Sequence, residues 1–182
     1  ATAEYSVVVT RNIEISSENK YATCMLPYDA FIPNGLEVYE CASMDGDCLI
    51  LTEVSSIEAN IPYILYAPNG ITHTFTDKPQ DTSVNFITKG YLTGIALEPF
   101  TQVFSSSDYV MQKQEEEIKF YNAGGLKLTI PAGKCYLSLT QNSNVKAYRL
   151  DRVTGIESVV DVENKDYTVY DLMGRRVKNP TK

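Results

Sequence analysis

Apolar and polar residues alternate along most of the chain with a period of two, in short runs bounded by turn-forming residues. The segments SVVV, NIEI, YATCML, LEVYEC, CLILTEV, YILYA, THTFT and SVNFIT come first, followed by TQVF, YVMQK, IKFYN, LKLTI, CYLSL and VKAYRL. Side chains on a strand point alternately to opposite faces, so this pattern predicts β-strands with at least one buried face. The runs recur at roughly the eight-to-twelve-residue spacing of antiparallel sandwiches and barrels. No window keeps apolar residues at i, i+3, i+4 and i+7 for three turns, as an amphipathic helix would require. The nearest rival is MQKQEEEIKF, whose flanks alternate like strands, so Glu115 to Glu117 read as a solvated hairpin turn.

Turn chemistry punctuates the runs at Pro33-Asn34-Gly35, Asp45-Gly46, Pro68-Asn69-Gly70, Gly124-Gly125 and Pro131-Ala132-Gly133. Asn, Asp and Gly tolerate positive φ and can reverse the chain within two residues. An internal repeat is also visible. Aligning Ile57-Glu58-Ala59-Asn60 with Ile130-Pro131-Ala132-Gly133 places Tyr63-Ile64 on Tyr136-Leu137, and each copy follows a Leu-x-Leu-Thr run, Leu49 to Thr52 and Leu126 to Thr129. The expected fold is therefore all-β: an antiparallel two-sheet β-sandwich, jelly-roll or Ig-like, over residues 1–152. The texture changes after Asp151, where residues 153–182 read as a linker and a short C-terminal extension with one strand-like run, Tyr167 to Leu172.

Composition supports this class. The chain has 182 residues, 43% of them apolar, with thirteen tyrosines and no tryptophan. That apolar share is enough for a sizeable core. The net charge is −7. Acidic and basic residues balance from Val153 onward, so the excess belongs to the sandwich. Such a surface repels polyphosphate, and nucleic acid is not an expected partner. No apolar run is long enough to span a membrane as a helix. The first residues, ATAEYSVVV, lack the basic start and apolar core of a signal peptide.

The four cysteines, Cys24, Cys41, Cys48 and Cys135, show no CxxC or Cys/His spacing of a zinc site. If Asp45 and Gly46 form the turn between Cys41 and Cys48, Ser43 faces Cys48 and Cys41 lies diagonally, near the ~7 Å limit for a disulfide. A wider loop would set the two cysteines opposite each other. Buried free thiols and one or two disulfides in an oxidising compartment both remain open.

Together, YATCMLPYDAFIPNGLEVYEC, LILTEV, YVMQKQ, IKFYNAGG and IPAGKCYLSL resemble a β-sandwich domain common in secreted and surface proteins of Bacteroidetes, often of unknown function. The likeness covers about residues 17–152 and rests on apolar and turn positions, so it implies a fold and no catalytic residue. TGIESV followed by YTVYDLMGRRV resembles the opening of the C-terminal sorting tails of exported proteins from the same bacteria. Such tails continue through a Gly-x-Tyr strand and a basic end that do not follow here. The resemblance implies export and a location outside the cell or on the bacterial cell surface.

Candidate chemistry is sparse. His73 is the single histidine and sits in the alternating run THTFT, with no Gly-x-Ser-x-Gly nucleophile in the chain. Carboxylate pairs suited to glycoside hydrolysis need only lie about 5 to 9 Å apart, and 23 acidic residues supply such pairs by chance. Asp45-Gly46-Asp47 lacks the remaining ligands of a calcium loop and is explained by a hairpin turn. No phosphate cradle is present, and no cofactor is expected. The tyrosines carry the remaining binding potential: Tyr63, Tyr66, Tyr136 and Tyr148 lie in strands, whereas Tyr28, Tyr91, Tyr109 and Tyr121 lie near turns, where rings can stack on sugars. The expected function is a non-catalytic exported or cell-surface module in adhesion or envelope-protein assembly. Its partner would be another envelope protein or a surface glycan, and the alternative is a carbohydrate-binding module that uses the four turn-proximal tyrosines.

Overall fold

A computed structural model describes residues 7–141, 143–153, 169–170 and 176–177. Every regular element among them is a β-strand, as the period-two pattern predicts. The first, β1 (Val9–Ile15), pairs antiparallel with β6 (Ile71–Asp77) as a separate two-stranded sheet. Between them in sequence, β2 (Tyr21–Cys24), β3 (Glu37–Asp45), β4 (Cys48–Val54) and β5 (Tyr63–Tyr66) pair in the order β2-β5-β3-β4.

The second part of the chain repeats this arrangement. Strands β8 (Leu92–Ile95), β10 (Asp108–Gln114), β11 (Glu117–Asn122) and β13 (Cys135–Ser138) pair in the order β8-β13-β10-β11. In the first unit, the segments before β3 and before β5 meet in a single bridge, Ala30 with Ile57. In the second, the corresponding segments lengthen into β9 (Phe100–Val103) and β12 (Lys127–Ile130), where Phe100 faces Ile130. Asn60 and Gly133, at matching places after Ile57 and Ile130, both have positive φ, 59° and 89°. The repeat of Ile57–Asn60 on Ile130–Gly133 is therefore structural. The Leu-x-Leu-Thr part of that alignment is not, because Leu49–Thr52 lies in β4, whose counterpart is β11, whereas Leu126–Thr129 runs into β12.

Strand β7 (Phe86–Lys89) extends the second unit beyond β8, and β14 (Ala147–Val153) joins the two units into one ten-stranded sheet. β14 is antiparallel to β11 and parallel to β4, the one departure from an antiparallel fold among the described pairings. The reason is geometric: β4 and β11 run in opposite directions, so a single strand between them must be parallel to one. Period-two patterning is the same for both senses and could not reveal this. The sheet curls so that β2, at one end, meets β13 near the other: Met25 N donates to Gly133 O at 2.9 Å, and Cys135 N donates to the Thr23 hydroxyl at 3.0 Å. Two facing halves of one curled sheet thus supply the sandwich-like layers.

Burial follows this geometry. Tyr39, Cys41, Leu49, Leu51 and Ile64 of the first unit pack against Leu92, Tyr109, Phe120 and Leu137 of the second, together with Tyr148 of β14, to form a shared interior. Alternate residues point the other way. Tyr63 and Leu65 pack beneath β1 and β6, and Tyr136 packs with Phe100 and Leu128 beneath the β9–β12 pair. Strands buried on both faces explain the nearly continuous apolar runs YILY and CYLSL. Of the C-terminal extension, Val153 ends β14, and the remaining residues lie outside the described set except for β15 (Val169–Tyr170) and β16 (Arg176–Val177), a short antiparallel pair.

The turns hold with two shifts. Asp45 pairs with Cys48, so the β3–β4 loop is Gly46-Asp47. Gln114 pairs with Glu117, which leaves Glu115 and Glu116 alone in the β10–β11 turn, at φ of 51° and 69°. Two consecutive left-handed residues define a type I′ turn, which suits Asn-Gly far better than two glutamates. Replacing Glu115-Glu116 by Asn-Gly is expected to stabilise the fold by about 1 kcal/mol. Urea denaturation measures this as a raised midpoint at unchanged slope, and an unchanged or lowered midpoint would contradict the assigned turn.

Candidate functional site

The four turn-proximal tyrosines do not form a platform. Tyr109 is fully buried, its hydroxyl donating to Val145 O at 2.6 Å, and Tyr28 is 2% exposed, its hydroxyl donating to Val9 O at 2.8 Å. Both rings are core, so neither offers a face for a sugar to stack on. Proximity to a turn misled here because each ring points inward while only its hydroxyl reaches a backbone carbonyl. Tyr91 packs half-buried against the shared interior, and the Tyr121 hydroxyl lies 3.3 Å from Glu117 O, along its own hairpin. Of the four, Tyr28 borders a cavity.

That cavity has a volume of about 530 Å³. Its floor consists of the buried side chains of Tyr28, Ile57 and Phe75. Phe31 stands on its rim at 92% exposure, the most exposed large apolar side chain of the described chain. Three exposed carboxylates, Asp29, Glu58 and Asp77, surround it, and no other charged residue among those described lines it. Local structure holds two of them: Asp29 Oδ1 accepts from Ala59 N, and Asp77 Oδ1 accepts from Lys78 N, each at 2.8 Å. The Ala30–Ile57 bridge fixes the two loops, its reciprocal hydrogen bonds measuring 2.9 and 3.0 Å. Sequence reasoning passed over Phe31. Its signal is the aromatic in DAFIPNG, next to a turn with no apolar partner two residues before it in the alternation.

Two other concavities are less organised. One of about 730 Å³ beside Val7 to Val9 mixes Arg11 and Lys78 with Glu98 and has no aromatic floor. One of about 340 Å³ follows the outer side of β2, where the sheet curls back. Arg11 serves the fold, since its Nη2 donates to Ala96 O at 2.8 Å and so ties β1 to the second unit. Arg152 lies at the margin of the shared interior, its guanidinium 3.6 Å over the Tyr66 ring and 3.3 Å from Glu37. Burial works against its charge, but the hydrogen bond with Tyr39 and the nearby Tyr21 and Tyr66 hold it firmly protonated.

His73 is partly exposed and stacks edge-on against Phe75 at 4.6 Å, with no nucleophile bonded to it among the described contacts. Among the described residues, no cluster of three or more His, Cys, Asp or Glu side chains could hold a metal ion. All four cysteines are buried free thiols; Cys41 pairs with Leu51 and Cys48 with Asp45, so the two are not opposite each other. No helix of the described residues is long and apolar enough to cross a membrane. No family model matches the chain, and no curated protein or solved structure matches it either.

Burial pushes the Cys24 and Cys41 thiols from 9.0 up to about 12 and raises Cys135 further, with the neighbouring Cys24 adding to the effect. The thiolate is the reactive form, so these cysteines are inert while the protein is folded. In the unfolded chain they ionise near pH 9, which favours unfolding as the pH rises. Stability is expected to be fully present below about pH 9 and to fall progressively toward pH 12. Urea midpoints across this range measure the loss, and a thiol reagent at pH 8 should label the cysteines only after denaturant is added. Rapid labelling of the native protein would contradict the burial of these groups.

Proposed function

We propose that this chain is a non-catalytic binding module of an exported bacterial protein, serving adhesion or envelope-protein assembly at the cell surface. The observation that carries this reading is Phe31, 92% exposed above a floor of buried aromatic and aliphatic side chains. Leaving a phenylalanine in water costs about 2 kcal/mol relative to burying it, and exposed aromatics beside pockets are typical anchors of protein interfaces. The lining also indicates the shape of the partner. Neighbouring strand residues point to opposite faces, so a cavity on a strand face is lined by alternate residues. This one is lined by consecutive runs, 28–31, 56–58 and 75–77, which marks it as lying along backbone edges. β6 pairs only with β1 among the described ladders, so its other edge has no strand partner among the described residues. An extended segment of a partner protein can lie along that edge and place a side chain in the cavity, the geometry of strand addition.

Carbohydrate binding is the second reading, favoured by the same ring beside hydroxyl-accepting carboxylates. Parallel peptide and glycan arrays, probed with the native chain and with Phe31→Ala, separate the two. Peptide hits that weaken about tenfold or more in Phe31→Ala are the expected result. Glycan hits with that sensitivity would transfer the function to sugar binding, and hits indifferent to Phe31 would remove the cavity from either role.

A further inference from the structure

We infer that the Phe31 cavity is specific for a positively charged side chain, a lysine or arginine presented by an extended segment of the partner. This rests on the binding reading above and adds the chemistry that selects the ligand. Asp29, Glu58 and Asp77 approach the cavity from three different segments, and all three are exposed. None of them forms an ion pair among the described residues, whereas Glu37, Glu40 and Asp47 elsewhere do. Of the basic groups nearby, Arg11, opposite Phe75 in the β1–β6 pair, is already bonded to Ala96 O, and Lys78 borders a different cavity.

The aromatic residues complete the selection. Phe31 on the rim presents its exposed ring to whatever enters, above an apolar floor formed by the buried Tyr28 and Phe75. A ring face attracts a cation, and the alkyl stem of lysine or arginine packs on apolar surface while its charged head stays near carboxylates. An aliphatic side chain would use the rings alone and leave the carboxylates without a counter-charge. An acidic one would be repelled from three directions. The cavity therefore discriminates by charge as well as by shape.

The test uses fluorescence anisotropy with a labelled peptide of alternating threonine and lysine and with the same peptide carrying norleucine or glutamate in place of lysine. The lysine peptide should bind at least about tenfold more tightly than the norleucine one, the glutamate peptide should not bind, and added salt should weaken the lysine complex. The combined variant Asp29→Asn, Glu58→Gln, Asp77→Asn should lose that preference yet still bind norleucine through Phe31. A control with Glu53, Glu98 and Glu117 each replaced by Gln has the same net charge and should behave as the native chain. Equal affinity for lysine and norleucine peptides, abolished by Phe31→Ala, would overturn the charge specificity and leave the binding reading standing. Failure of all peptides to bind would overturn both. Matching urea midpoints for the variants confirm that lost binding is not lost folding.

Discussion

The fold depends on one interior built jointly by two similar units. Ile64 of β5 and Leu137 of β13 occupy matching places, as do Tyr39 and Tyr109, and all four are fully buried in the interior between the units. A four-stranded unit alone would leave this face in water, and each large apolar side chain so exposed costs about 2 kcal/mol. Curling the sheet until the faces meet resolves the problem once for both. β14 closes the seam between β4 and β11, which run in opposite directions, so its one parallel pairing follows from the arrangement of the units.

The close contacts of the curl constrain individual residues. Tyr91 N donates to Cys41 O at 3.0 Å, where β8 meets the bulge of β3. The preceding Gly90 has φ of 63°, and a Cβ built on it would fall 2.2 Å from that same carbonyl. Only glycine fits both the conformation and the space. At Gly125 the φ is similarly positive, 83°, yet nothing lies within 4 Å. The two positions look alike in sequence, and the packing of one unit on the other distinguishes them.

Much of this was legible in the residues. Alternation located the strands, Gly, Asn and Pro located the turns, and Tyr63 with Tyr136 revealed the repeat, because these are local properties of a chain that pairs with its neighbours. Three things were not local. The direction of β14 relative to β4 leaves no trace in a period-two pattern. The Leu-x-Leu-Thr likeness was misleading because any strand with one buried face reads that way. The four tyrosines near turns were ambiguous because a tyrosine can bury its ring and still satisfy its hydroxyl, as Tyr28 and Tyr109 do. Phe31 escaped for the opposite reason: an aromatic in an apolar-rich stretch reads as core, and only the fold shows that none of the described residues covers it.

The two units differ where the cavity forms. In the second unit, the segments before β10 and before β13 lengthen into the four paired positions of β9 and β12, which cover Phe104 and Tyr136. In the first, the only strand-like pairing of the same segments among the described residues is the bridge of Ala30 with Ile57, and β6 passes beside them. The shorter pairing leaves a gap that the longer ladder fills in the other copy. Both units need the same core, and they differ at the outer segments, where the first has a single bridge in place of the second unit's ladder. Phe31 and its three carboxylates occupy that place. The acidic surroundings also serve the chain itself: like charges around an exposed aromatic disfavour pairing of one copy with another through this open edge, while leaving it attractive to a partner of opposite charge.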